Sequence, residues 1–182
     1  MRVLVLCTGR CGSTTFQRAC SHFTNYTSGH ETRTARLGEA RLAYPDHHIE
    51  CDNRLSWLLG RLDSAFGDDA YYVHLTRDKE AVAQSYAKRV KYDGAIMPAY
   101  AKAILMGGMR KNKDTDMIEF ARDYVDTVTA NITHFLRDKS NVMQIDIETV
   151  KQSFPQFCDW IDAKGDLEAA GAEFDVRHNA SG

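Results

Sequence analysis

The sequence predicts a three-layer α/β/α fold on a mainly parallel sheet, and three observations predict it. Short apolar runs alternate with longer segments whose apolar residues recur every three or four positions. The first run is continuous and β-branched rather than alternating, as expected of a strand covered on both faces. No linker, repeat or low-complexity tract divides the 182 residues, of which 43% are hydrophobic, so a single domain spanning 1–182 with a substantial core is expected.

Residues 2–7 form the first strand, running straight into a glycine turn. Residues 13–23 follow as a helix, with Phe16, Ala19, Cys20 and Phe23 on one face. Residues 26–31 end a short strand, and residues 48–51 read as another. Residues 53–65 are helical, striped by Leu55, Leu58, Leu59 and Leu62. Residues 70–76 are the second clear strand, followed by a helix over 78–90 with Asp78 at its N-cap. Residues 118–136 make the longest helix, and 142–147 a further strand. Ser153 to Gln156 has the form of a capping box with Pro155 in the first turn, opening a helix that Gly165 closes. Strands followed by helices in this order imply parallel pairing; the pattern does not give the strand order.

Net charge is −2, so no global basic field recruits nucleic acid, and any anion site must be built locally. The five cysteines are odd in number and form no CxxC, which points to a reducing compartment and against structural zinc. Only five apolar residues precede Thr8, too few for a signal peptide or a membrane span. With Met1 as the start, a cytoplasmic protein is expected, and the sequons at Asn25, Asn131 and Asn179 are idle.

The most informative stretch is Thr8-Gly-Arg-Cys-Gly-Ser-Thr-Thr15. A buried strand, a glycine turn and a helix start gather backbone N–H groups and the positive end of a helix dipole around one point. Gly9 and Gly12 let the backbone approach a ligand, Ser13, Thr14 and Thr15 supply hydroxyls, and Arg10 supplies charge. The bland alternative is a plain strand–turn–helix, which needs fewer of these residues. A nucleotide triphosphatase loop requires Lys after its second glycine, and none is present. A cysteine phosphatase requires Arg six positions after its nucleophile; six from Cys7 is Ser13, and six from Cys11 is Gln17.

The stretch resembles the 5′-phosphosulfate loop of sulfotransferases that use 3′-phosphoadenosine 5′-phosphosulfate (PAPS). A second motif of that family, an Arg at a strand end and a Ser eight residues on, is matched by Arg77 and Ser85 within residues 75–89. Together the motifs cover about an eighth of the chain. The resemblance implies a P-loop-like fold and sulfuryl transfer from PAPS, leaving 3′-phosphoadenosine 5′-phosphate (PAP), without a metal. The donor carries two separated anionic groups and so needs two basic sites. Residues 77–91 hold five basic residues and two acidic ones, although Lys88, Arg89 and Lys91 also fit a solvated helix face.

By that resemblance Thr8, Gly9, Arg10, Cys11, Gly12, Ser13, Thr14 and Thr15 form the 5′ site, and Arg77 and Ser85 bind the 3′-phosphate. Arg10 stabilises charge on the leaving oxygen; its high pKa disfavours a general-acid role. The family takes the acceptor's proton with a His or Glu after the first helix, which makes Glu31 the first choice and His30 the second. Glu31 could equally pair with Arg33 or Arg36. Asp52 reads as a helix cap in preference to an acceptor-cleft residue. His47, His48 and Glu50 hint at a metal, but adjacent histidines converge poorly on one ion. Residues 96–109 suit either core or an acceptor wall, and residues 177–181 resemble a terminal motif of bacterial relatives. The family's glycine-rich third motif, ending Gly-Asp-Trp-Lys, is absent. The default acceptor is a small-molecule, carbohydrate or glycolipid hydroxyl. The alternatives are a degenerate P-loop kinase or nucleotide-binding protein, and a non-catalytic PAP-binding module.

Overall fold

The computed structural model describes residues 1–89, 95–107 and 115–176. Strands β1 (Arg2–Leu6), β2 (Thr27–His30), β3 (His48–Cys51), β4 (Tyr71–Thr76) and β5 (Val142–Asp146) form one sheet in the order β2-β3-β1-β4-β5, parallel throughout. Central β1 lies between β3 and β4, with Val5 level with Cys51 on one side and Val73 on the other. Val3, Leu4, Val5 and Leu6 are fully buried, which is why this run is apolar at every position.

Helices cover both faces: α1 (Ser13–Cys20), α2 (Leu59–Phe66), α3 (Lys79–Ala87), α4 (Ile96–Ala99), α5 (Met117–Leu136), α6 (Val150–Trp160) and α7 (Leu167–Ala172). Two adjacent tyrosines on β4 mark the layers. Tyr71 meets Trp160 of α6 at 4.7 Å between ring centroids, and Tyr72 meets Phe135 of α5 on the opposite face at 5.2 Å. Phe16 of α1 joins the α6 face by packing on Phe154 and Phe157. On the other face Tyr86 of α3 packs edge-on against Tyr124 of α5. The fold is therefore the predicted three-layer α/β/α. Among the described residues no helix is long and apolar enough to cross a membrane.

Four predicted boundaries are corrected. The helix from Ser13 stops at Cys20, although Phe23 is still buried. Residues 53–65 are a 3-10 turn (Asn53–Trp57) followed by α2; Leu58 breaks them at φ −120°, and its leucine stripe spans both pieces. The capping box at Ser153 does not form. Asp146 instead caps a 3-10 turn (Ile147–Thr149) that leads directly into α6 at Val150, so Pro155 falls inside that helix. The helix ends at Trp160, not Gly165. Gly165 (φ +141°) bridges to Phe23, where a Cβ would sit 2.9 Å from the Phe23 Cα.

Asp78 does cap α3, accepting from the Ala81 amide at 2.8 Å. Of residues 96–109, Met97 and Tyr100 belong to the core, Met106 is exposed, and Met109 lies outside the described residues, as do Val90 and residues 177–181.

Candidate functional site

In an all-parallel sheet every strand delivers its following loop to the same edge. Here that edge collects residues 7–12 after β1, Glu31 and Thr32 after β2, Asp52–Arg54 after β3, Arg77 after β4 and Ile147–Glu148 after β5. The chain leaves β1 toward β2 and leaves β4 toward β5, on opposite sides. The crevice between β1 and β4 is thus the switch point at which open α/β sheets bind ligands.

The β1–α1 loop is held from several sides. Gly9, Arg10 and Gly12 all have left-handed φ, at +83°, +60° and +80°. Successive turns of this kind aim main-chain N–H groups into a shared concavity. Tyr86 and Tyr124 both donate to the Thr8 carbonyl, at 2.6 and 2.8 Å, and Ser56 donates to the Cys7 carbonyl at 3.1 Å. Gly9 is glycine for a second reason: a Cβ would overlap the Tyr86 hydroxyl and lie 2.6 Å from Asn53 Nδ2. A Cβ on Gly12 would lie 2.6 Å from Ile147 Cγ1. Helix α1 then opens at Gly12 without a side-chain cap.

Within the loop the side chains divide. Thr8 and Cys11 are buried, and both turn inward, sharing the Gly9 carbonyl and a 3.0 Å contact with each other. Ser13 and Thr15 are buried as well. Thr8 and Cys11 serve as internal struts. Arg10 and Thr14 are only partly buried, and Ser13 and Thr14 both meet His30. Arg10 Nε donates to Ser85 Oγ at 2.9 Å, and Arg77 Nη1 donates to the Arg10 carbonyl at 3.4 Å. Arg10, Arg77 and Ser85, far apart in sequence, therefore meet in one cluster.

Burial, followed by the charges of Arg89 and Arg77, pushes the Arg10 guanidinium below its ordinary pKa. Arg89, which by sequence also fits a solvated helix face, thus contributes to the field of the cluster. Arg77 does not pair with Asp78 or Glu80, since Asp78 caps α3 and Glu80 pairs with Arg122. Among the described residues Arg77 faces the carboxylate of Glu148 in the β5 loop, at 3.8 Å.

His30 and Glu31 occupy different positions. His30 Nε2 lies 3.0 Å from Ser13 Oγ and 3.4 Å from Thr14 Oγ1, directly on the start of α1. Glu31 has a left-handed backbone (φ +55°) and pairs with Arg54 at 2.5 Å, not with Arg33 or Arg36. The sequence carried no signal for that partner, because β2 and β3 had first to be placed side by side. Asp52 caps the Asn53–Trp57 turn through the Arg54 amide and also forms a buried ion pair with Arg41. The two nitrogens of His48 are taken by Thr27 and Glu50. Among the described residues no group of His, Cys, Asp and Glu is arranged to hold a metal. Tyr124, Ser56, Asn53 and Arg54 shape the site without any motif that could have announced them, and Tyr86 does so from within residues 75–89, next to Ser85.

Compared with known proteins, the chain matches no family model, no curated protein and no solved structure.

Proposed function

We propose that the chain is a PAPS-dependent sulfotransferase with a P-loop-like first turn. The observation that carries this reading is the meeting of Arg10, Ser85 and Arg77 at the crevice between β1 and β4. Two sequence motifs of the same family resemblance, otherwise unrelated, converge on one place.

In this reading the loop amides, Ser13 and Thr14 hold the 5′-phosphosulfate at the start of α1. Arg77 and Ser85 hold the 3′-phosphate through charge-assisted hydrogen bonds. The acceptor hydroxyl attacks sulfur in line, the bond from sulfur to the bridging oxygen breaks, and PAP leaves with the electron pair. Arg10 stabilises the charge on that oxygen, as positioning and electrostatics dominate such transfers. The acceptor's proton passes to His30 or Glu31. His30 lies on the loop itself, and Glu31 is a carboxylate oriented by Arg54. His30→Gln and Glu31→Gln separate the two: losing the base lowers turnover about 10²–10⁴-fold, and losing the other does not. The acceptor is a hydroxyl compound, with a carbohydrate or glycolipid as the default, and the protein works in the cytoplasm.

Calorimetric titration with PAP, 5′-AMP and ATP, on wild type and Arg77→Ala, tests the reading. Tight PAP binding, much weaker AMP binding and loss of that preference in Arg77→Ala are expected. Binding of ATP but not PAP would turn the site into a kinase-like one. PAP binding with no transfer to any acceptor would leave a binding module.

A further inference from the structure

The carboxyl end of β3 holds a carboxylate that the proposed chemistry does not use. Glu50 is fully buried. Its Oε1 accepts from the Thr32 amide at 2.7 Å, and its Oε2 accepts from Thr32 Oγ1 at 2.7 Å and lies 2.9 Å from His48 Nε2. His48 is itself fixed, with Thr27 Oγ1 at 2.8 Å from Nδ1 and the Tyr44 ring stacked on it. Burial alone would raise the Glu50 pKa. The hydrogen bonds from His48 and Thr32 outweigh it and hold the carboxyl below its ordinary value. An ionised carboxylate only accepts, so His48 Nε2 carries the proton.

Thr32 is an exposed loop residue, yet both its main-chain and its side-chain donor turn inward onto this one carboxylate. It directly follows His30 and Glu31, and Glu31 adopts a left-handed conformation that an L-residue does not choose unaided. Gly29 completes the arrangement: a Cβ there would lie 2.7 Å from Glu50 Oε2 and overlap the Thr32 methyl, so only glycine lets the clamp close. Residues 29–32 are shaped around Glu50. An apolar residue would fill the space at less desolvation cost, which points to a geometric reason for a carboxylate.

We propose that Glu50 is a positioning residue: through Thr32 it fixes the turn that holds His30 against Ser13 and Thr14 at the start of α1 and Glu31 beside Arg54. The proposal rests on the reading of His30 and Glu31 as the acceptor-side groups. Its geometric part is testable without that reading.

The test compares wild type, Thr32→Val, Thr32→Ser and Glu50→Gln by NMR of the His30 ring and the Glu31 and Ser13 amides, beside PAP titration and sulfuryl-transfer turnover. Thr32→Val keeps the shape and the main-chain donor but removes one hydroxyl at an exposed position. Glu50→Gln is the second variant, should Thr32→Val fail to fold. The expected result is displaced His30 and Glu31 signals in Thr32→Val and Glu50→Gln, with signals of β1 and α5 unmoved, and restoration in Thr32→Ser. Turnover should fall on the order of 10²-fold, as for other small misplacements of reacting groups, while PAP affinity stays within about twofold because the loop is intact. His30 and Glu31 signals at their wild-type positions in both variants overturn the positioning role, whether or not PAP binds. Failure of the wild type to bind PAP overturns the sulfotransferase reading instead, and the NMR comparison still decides the geometry.

Discussion

At one end of the sheet's carboxyl edge, behind β2 and β3, opposite charges meet. Arg41 reaches the buried Asp52 at 2.5 Å, Glu31 takes Arg54, and the carboxylate of Glu50 is filled by Thr32 and His48. Nearer the middle of the edge, between β1 and β4, arginines meet: burial, followed by the charges of Arg89 and Arg77, disfavours the charge on Arg10, and the loop beside them is wound through three left-handed residues, two of them glycines. In the first region burial raises the Asp52 pKa despite Arg41, while the hydrogen bonds on Glu50 outweigh its burial, so the charges there are satisfied by partners within the region. The second gathers basic groups beside a loop whose left-handed residues aim main-chain N–H groups into one concavity. Basic side chains with a shifted pKa beside such a concavity argue for the crevice as the ligand's place and for the network as its support.

The comparison breaks most easily at Asp52. Its side chain is fully buried against an Arg41 that is only 5% exposed, so Asp52→Asn leaves an uncompensated cation. The expected loss is about 3–5 kcal/mol in urea unfolding, with PAP affinity of the folded protein unchanged. A neutral substitution would show that the network does not support the fold. Gly9→Ala acts on the other side. It adds a Cβ at φ +83° against Tyr86 and Asn53 and should cost about 2–4 kcal/mol. Gly38→Ala is its control: φ is +56° with nothing within 4 Å, so only the backbone cost remains, about 1 kcal/mol. Equal losses at the two glycines would mean that the loop is not clamped by its neighbours.

Arg77→Gln should separate the regions by observable. Arg77 is partly exposed and 3.8 Å from Glu148, so its loss changes stability by less than about 1 kcal/mol. The same substitution removes a charge-assisted bond to the anion, and PAP affinity should fall by about 2–3 kcal/mol, roughly 30- to 150-fold. A large drop in stability with unchanged affinity would reverse the roles assigned to the two regions.

The two regions also differed in how far the sequence revealed them. The crevice is made of short-range features: a strand, a glycine turn and a helix start within residues 2–20, and an Arg and a Ser eight positions apart around one strand end. Local pattern carries such features because each is set by residues close in the chain. The network is made of pairs from different strands, such as Glu31 with Arg54 and Thr32 with Glu50, which touch only because β2 and β3 are parallel neighbours. Strand order cannot be read from periodicity, so those partners were hidden. The same reason hid Tyr124, which braces Thr8 from 116 residues away. The misread start of α6 has a local cause. Asp146, at the end of β5, caps the Ile147–Thr149 turn, and that turn runs into α6 through Thr149 without a side-chain cap, so the chain is already helical when it reaches Ser153.

The smallest effect tests whether the network is ionic at all. Glu50 has a folded-state pKa below its ordinary 4.5. A depressed carboxyl adds stability that is fully present above the unfolded value and is lost as pH falls through the folded one. The gap in unfolding free energy between wild type and Glu50→Gln should therefore be constant from about pH 7 down to about pH 5 and narrow below about 4.3. His74 contributes a second acid effect of distinct origin. Burial pushes its pKa below 6.5, so the unfolded chain takes up its proton first, and stability falls as pH drops through 6.5 toward the folded value. That loss is common to both proteins and cancels in their difference, which isolates Glu50. A gap that stays flat to about pH 3 would mean that the Glu50 pKa is the same folded and unfolded, and a gap that shifts in favour of wild type as pH falls from about 7 toward 4.5 would mean that Glu50 is protonated in the folded state. His48 and Thr32 would then be holding a neutral acid, and the contrast between a neutralised network and a charged crevice would rest on Arg41–Asp52 and Glu31–Arg54 alone.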